Sequence, residues 1–421
     1  MNNHFRMFMW QGALSISLLV SQTAFAAQPD ATPSSSANFA AQNYARLQAE
    51  LPYYQDAVSH PEKYPWPIIP TSRKALHLGM RDGIILLLKQ RLRTTHDLVD
   101  HNTASLLFDK DLAKAVKVFQ SRHGLTPDGV VGNDTLAALN VSPDIRLKQI
   151  VINMQRFLQL ENELGDRFVL VNIPEYQLHL IEDNREVLTM KAIVGKPTRE
   201  TPELSSEITR LVFNPHWSVP HMIAQNDIVP KVIENPSYLN ENNIRIFNNQ
   251  ESDAYEMSAD DINWRDAEEN GFQYHLRQDP GVKNALGLVK FEFQNSHDVY
   301  LHDTPAKELF NKDKRDFSSG CIRLEKPFAL VAYLTHDDKR IDGDKIRNTL
   351  ETRHTTYFSI QDPIPIYITY ITAWVSDDGV VHFADDIYGK DVEGSAIAPT
   401  ARTAPTSTVN QIDSFNGITE Q

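Results

Sequence analysis

Three observations predict an α+β chain of several domains, helical in its first part and mostly β after it. Apolar residues recur at helical spacing from Phe39 to Leu158, then switch to alternation after Asp166. A proline-rich stretch (Pro61, Pro65, Pro67, Pro70) interrupts the helical part and predicts an extended connection. A polar, Asn- and acid-rich stretch at 221–278 interrupts the β part, as a cap over a site would, or as a mere surface excursion would.

Taken in order, residues 1–26 predict a signal peptide. Arg6 stands in a segment without acids, Ala13 to Val20 is apolar, and Ala24-Phe25-Ala26 offers a small-x-small cleavage site. Residues 27–75 predict a polar linker and an N-terminal helical scaffold, the helix starting at Phe39. A compact helical unit follows at 76–141. Ile85, Leu88 and Leu92 mark its first helix, and Leu112, Ala115, Val116 and Phe119 its second. A third opens after Gly132, with Asn133 or Asp134 as cap. At 142–166 a connecting helix starts at Ser142-Pro143, buries Leu147, Ile150, Val151, Met154, Phe157 and Leu158, and ends at Gly165. Strands are expected at 168–173, 176–180, 187–194, 211–217, 288–293, 299–302 and 364–374, the last turning at Asp377-Asp378-Gly379 into 380–383. They place a mostly β domain at 167–391, and the Ala/Thr/Ser/Pro-rich 392–421 reads as a disordered tail.

The net charge of −14 and the lack of any basic stripe exclude nucleic acid as the expected partner. The first apolar run falls short of the ~20 residues of a membrane span, and no later segment approaches that length, so no span is expected once the signal is cleaved. An uncleaved signal would leave an anchor. Export makes the lone cysteine informative, since exported proteins often use cysteines in pairs as disulfides.

That cysteine, Cys321, follows the small-residue turn Ser318-Ser319-Gly320, and His302 ends a predicted strand upstream. A thiol needs a base to become a nucleophile, and an imidazole is the usual one. A glycine turn lets backbone N–H groups approach an acyl oxygen. The competing reading is a buried structural cysteine beside an unrelated histidine. Tyr300 lies on the same strand face as His302 and is a candidate for the acyl pocket. Arg323, two residues past the thiol, either pairs with a substrate carboxylate or forms a surface salt bridge. Trp217 either stacks over substrate or sits in a core. Trp264 and Tyr255, in the insertion, are further candidates for substrate contact, whereas Asp260-Asp261 reads as a solvated face. Ser318 and Ser319 shape the turn and bond substrate, and are weaker rivals as nucleophile. His216 and His221 are separated by Pro220, which spoils a helical metal pair, so no metal is expected.

Two stretches resemble known families. Lys114–Gln120, Gly124-Leu125, Asp128–Gly132 and Thr135-Leu136 resemble the peptidoglycan-binding domain of cell-wall enzymes. His302-Asp303-Thr304-Pro305 with Ser318-x-Gly320-Cys321 resembles the signature of YkuD-type L,D-transpeptidases. Val171–Pro174, Gly195-Lys196, Thr201-Pro202, Asn214–Pro220 and Arg277–Gly281 add to it, in the manner of the family's larger periplasmic branch with a capping insertion. The commonest pattern has His at Ser319 and Asn at Arg323, so a role for that second histidine does not carry over.

The resemblance implies periplasmic location, no cofactor, and peptidoglycan stem peptides and glycan as partners. It also implies two acyl transfers. Cys321 attacks the third residue of a tetrapeptide stem, His302 acts as base and then protonates departing D-alanine, and the Asp303 backbone carbonyl orients His302. The N–H groups of Gly320 and Cys321 hold the oxyanion, and an amine of another stem takes the acyl group. Water or a lipoprotein amine as acceptor, giving a carboxypeptidase or an anchoring enzyme, and a non-catalytic wall-binding scaffold are the rivals. A papain-like protease fits poorly, because the order of Cys and His is reversed.

Overall fold

The computed structural model describes residues 39–71, 74–99, 104–251 and 253–392. The expected signal peptide, the linker up to residue 38 and the tail from residue 393 lie outside them. Helix α1 (Phe39–Ser59) packs on a later helix, α5 (Pro143–Leu160), and the two cover one flank of the β domain. Phe39 meets Phe157 and Phe168 edge-on at 6.4 and 6.0 Å between ring centroids.

Between them α2 (Ile84–Thr94), α3 (Lys110–Ser121) and α4 (Asn133–Asn140) close around their own core of Ile85, Leu88, Leu92, Leu112, Val116 and Phe119. Ile69, from the proline-rich stretch, belongs to this core too. Asp109 caps α3 by accepting from Leu112 N at 2.9 Å. The expected cap of α4 is corrected: Gly132 is the N-cap, and Asn133 and Asp134 are already helical.

The inward face of α5 also differs from expectation. Val151 and Leu158 are exposed, whereas Arg146, Gln149, Asn153 and Arg156 are buried. They are stable there because the C-terminal segment brings partners. Arg156 donates to Asp391 Oδ1 at 2.7 Å, and Asn153 Nδ2 to Thr372 Oγ1 at 2.7 Å. The helix stops at Leu160 and passes through a turn before Gly165.

The β domain starts with β1 (Arg167–Asn172), β2 (Gln177–Glu182), β3 (Arg185–Gly195) and β4 (Leu204–Phe213). The chain then leaves to build the insertion. It comprises β5 (Trp217–Ser218), α6 (His221–Ile223), a π-turn at Ala224–Ile228, α7 (Val229–Glu234), α8 (Tyr238–Glu241), β6 (Ile244–Phe247), β7 (Glu256–Met257), α9 (Trp264–Asn270) and β8 (His275–Gln278). Its four strands pair in the order β5-β8-β6-β7 over a separate core that includes Val229, Val232, Ile246, Phe272 and Leu276. The insertion starts four residues earlier than the sequence suggested, because Trp217 pairs with Gln278. Asn214, at φ 48°, breaks what read as one strand from 211 to 217.

The chain returns as β9 (Val289–Phe293), β10 (Leu301–His302), β11 (Asp316–Ser318) and β12 (Ile322–Leu324), then α10 (Pro327–Thr335), α11 (Gly343–Thr352) and β13 (Thr356–Thr369). A hairpin of β14 (Ala373–Val375) and β15 (Val381–Phe383) ends it. The large sheet runs β11-β3-β12-β10-β9-β4-β13-β1-β2, and β2 pairs again with β3, so the sheet closes on itself. Val169 and Val171 of β1 face the interior with Leu178, Leu211, Phe213, Phe291, Leu301 and Ile322. Phe168 and Leu170 face outward into the α1–α5 layer. Burial on both faces explains the continuous apolar run of β1.

Phe291 is fully buried between these strands. Phe291→Ala is expected to destabilise the protein by about 3–5 kcal/mol in urea unfolding. A loss under about 1 kcal/mol would mean this strand is not core.

Candidate active site

The turn after β11 holds Cys321, and the bonds around it dictate its shape. Gly320 has φ 117°, a backbone region that residues with a Cβ rarely adopt. Ser318 is buried. Its Oγ donates to the Cys321 carbonyl at 2.5 Å and accepts from Gly320 N at 3.1 Å. A second loop, 196–201, supports the turn from behind. Lys196 N donates to the Ser318 carbonyl at 3.0 Å, and Thr201 Oγ1 to the Gly320 carbonyl at 2.8 Å. That loop can fold back because Gly195 has no Cβ, which would lie 2.2 Å from the Arg199 carbonyl.

His302 reaches the same place through strand pairing. β10 runs parallel to β12 in the register Leu301↔Ile322 and His302↔Arg323. Alternation then puts Tyr300 and His302 of one strand on the same side as Cys321 and Arg323 of the other. All four line a cavity of about 1190 Å³, roofed by the insertion through Trp217, Met222, Ile223 and Asp227.

His302 is only 4% exposed, and its Nδ1 lies 2.5 Å from the Asp303 carbonyl oxygen. A carbonyl accepts only, so Nδ1 carries the proton and Nε2 is left as a base. Burial and then the nearby Arg323 guanidinium push the imidazole pKa down to about 3. The Asp303 carboxylate does separate work, accepting from Leu288 N at 2.9 Å and from Lys307 Nζ at 2.6 Å.

Burial pushes the Cys321 thiol up, against hydrogen bonds from the Tyr300 backbone and side chain that hold it down. Sγ also donates to the Asp298 carbonyl at 3.8 Å. Among the described residues no hydrogen bond joins Sγ to His302, and burial favours the neutral form of each group.

Other expected residues fall into two groups. Arg323 lines the cavity partly buried, its Nε without a partner, and among the described residues it forms no ion pair with a carboxylate, so the surface salt bridge is not formed. Trp217 packs, partly buried, on the insertion core and also lines the cavity. Ser319 Oγ accepts from Arg199 at 3.0 Å.

Three expectations need correction. The Gly320 N–H is engaged by Ser318 Oγ, so the N–H groups left without an acceptor in this turn are those of Ser319 and Cys321. Ser318 correspondingly uses its hydroxyl proton within the turn rather than on a ligand. Trp264 stacks on Phe272, its indole N–H bonds the Ala259 carbonyl, and Tyr255 is exposed; neither lines the cavity.

Sequence reasoning missed Lys290, whose Nζ sits 4.0 Å from the Tyr300 ring centroid and 2.8 Å from Glu292. The alternation of Val289-Lys290-Phe291-Glu292-Phe293 carried that signal, since the polar pair must face away from the core. It also missed Arg199, Thr201 as a support of the turn, and Asp298. His216 and His221 stay apart in function, one near Asp279 and the other bonded to the Phe272 carbonyl.

Residues 166–347 match the family model of the L,D-transpeptidase catalytic domain (YkuD), and residues 81–139 match that described as "Putative peptidoglycan binding domain". A Haemophilus influenzae protein named "Putative L,D-transpeptidase" is 36% identical over 223 residues, 53% of this chain and 44% of that protein. The chain thus spans under half the length of that relative. An L,D-transpeptidase (residues 123-326) from Xylanimonas cellulosilytica is 14% identical, with 71% of this chain and 100% of that one covered at a TM-score of 0.23. An L,D-transpeptidase from Mycobacterium smegmatis is 15% identical, with 48% and 58% covered at a TM-score of 0.23.

A thiol whose pKa is raised holds less thiolate at neutral pH than a free cysteine does. Alkylation of Cys321 by iodoacetamide is therefore expected to climb on the alkaline side of the ordinary midpoint of ~8.5. A plateau of reactivity between about pH 6 and 7, as an ion pair of thiolate and imidazolium would give, would contradict this.

Proposed function

We propose that this chain, which carries an L,D-transpeptidase catalytic domain at 166–347 behind a peptidoglycan-binding domain at 81–139, is a cysteine acyltransferase that cross-links peptidoglycan stems. The observation that carries the reading is the shared cavity: Cys321 and His302 line it together, and His302 Nδ1 is tied to the Asp303 carbonyl.

The chemistry follows from the groups in place. A stem peptide seated in the cavity displaces water and brings the carbonyl of its third residue to Sγ. His302 Nε2 takes the thiol proton as the C–S bond forms. The tetrahedral oxyanion faces the spare N–H groups of Ser319 and Cys321, each donor of this kind contributing about 3–4 kcal/mol in comparable sites. The C–N bond to the terminal D-alanine then breaks, its nitrogen taking the proton from His302. A thioester on Cys321 remains. An amine from a second stem attacks it, His302 accepts that proton, and the thiol leaves reprotonated, joining the third residues of two stems.

Five cations, Lys196, Arg199, Lys231, Lys290 and Arg323, border the cavity against four carboxylates, Asp227, Glu234, Glu292 and Asp298, with Asp227 already paired to Arg199 and Glu292 to Lys290. Arg323, lacking an internal carboxylate, suits one on the donor stem. The helical module would hold the enzyme on the wall, and an exported, periplasmic enzyme fits such a substrate. No helix among the described residues is long and apolar enough to cross a membrane.

The test is mass spectrometry of the full protein with disaccharide tetrapeptide, beside Cys321→Ala. The expected product is a dimer lacking one D-alanine, absent with Cys321→Ala; tripeptide alone would show water as acceptor, and untouched substrate would contradict the reading. His302→Gln is expected to lower the acylation rate by about 10²–10⁴. Arg323→Gln should raise KM for the donor stem with a smaller change in kcat, and an unchanged KM would remove its assigned role.

A further inference from the structure

We infer that Arg199 is a positioning residue that ties the cap to the turn carrying Cys321, so that a seated cap sets the N–H groups facing the oxyanion. This rests on the acyl-transfer reading of Cys321.

Arg199 belongs to loop 196–201, which already supports the turn through Lys196 and Thr201. Its own backbone is held, Arg199 N donating to the Lys196 carbonyl at 2.7 Å. The side chain, mostly buried, then reaches in two directions. One guanidinium nitrogen donates both to Asp227 Oδ2 and to Ser319 Oγ, the latter at 3.0 Å, while the other donates to Asp227 Oδ1 at 3.2 Å.

Asp227 is a cap residue. It lies in the π-turn Ala224–Ile228, whose ends, Ala224 and Ile228, are buried in the cap core. Single π-turns inside helices often occur at functional sites. The position of that carboxylate is therefore set by how the cap sits. A planar guanidinium can grip both carboxylate oxygens and still present an N–H elsewhere, which a lysine ammonium does with far less geometric control.

On the other side, Ser319 supplies one of the two free N–H groups beside Cys321. Holding its hydroxyl restrains the peptide planes from Ser318 to Cys321. When the cap lifts, Asp227 withdraws, Arg199 loses its anchor and Ser319 is released. The cap then does more than exclude water, since the oxyanion site is complete only when the cap is down.

Two readouts on the full chain test this. The first is hydrogen exchange of the segment 318–322 in wild type, Asp227→Asn and Arg199→Lys. Asp227→Asn is nearly isosteric, at a partly exposed position, and should leave Tm unchanged. The second is the rate of thioester formation with disaccharide tetrapeptide, followed by intact mass. Faster exchange of 318–322 is expected in both variants, although Asp227 lies in the cap. Acylation should fall about tenfold or more in kcat, with KM within about twofold. Arg199→Lys should recover only part of what Arg199→Ala loses. Unchanged exchange in both variants would overturn the inference, as would a loss confined to KM. If wild type forms no thioester, the acyl-transfer reading falls, and exchange alone decides whether cap and turn are coupled.

Discussion

The parallel pairing of β10 with β12 is the contact on which the site depends. Two short strands in the register Leu301↔Ile322 and His302↔Arg323 decide which side chains share a face. Shifted by one residue, the pairing would send His302 or Cys321 into the apolar interior and bring Leu301 or Ile322 out. Burial of Leu301 and Ile322 in the barrel core holds the register, so the hydrophobic effect that folds the sheet also aligns the base with the thiol. Closure of the sheet through β2 and β3 secures the same strands from the other side, because β12 also pairs with β3.

Burial then sets the electrostatics. Removing His302 from water and placing a cation near it favours the neutral ring, and the Asp303 carbonyl selects its tautomer. Burial of the thiol favours its neutral form as well. A neutral pair avoids charging two groups that burial disfavours in ionised form, and it leaves charge to develop during reaction, where the free N–H groups stand. Supporting contacts converge on the same turn: Thr201 from below, Arg199 from the side and Ser318 from within.

Much of this was legible in the residues, for physical reasons. Strong periodicities survived translation into structure. The helix at Lys110–Ser121 and the strand at Arg167–Asn172 are examples, because each presents a face that must be buried. His302 and Cys321 stood out through chemistry, a lone thiol beside a glycine turn and an imidazole at a strand end.

What stayed hidden depended on tertiary partners. Nothing local marks Arg156 and Asn153 as buried, since Asp391 and Thr372, far along the chain, satisfy them. β13 starts at Thr356, well before the apolar run, and passes Pro363 because a bulge between Ser359 and Ile364 absorbs the lost pairing. Gly320 looked like an oxyanion donor because a glycine precedes the thiol, and only the folded turn shows its N–H engaged by Ser318. Arg199 carried no pattern at all in a loop of Thr, Arg and Glu.

His302 rests as a neutral Nδ1–H imidazole in the wall of the thiol cavity, its Nε2 left as the base. Nitrogen-15 NMR of imidazole-labelled protein, followed against pH and assigned with His302→Gln, tests it most directly. A neutral Nδ1–H ring is expected at pH 7, resisting protonation to well below the free-histidine value of about 6.5, toward about 3. An imidazolium at neutral pH, or a ring protonated on Nε2, would contradict it.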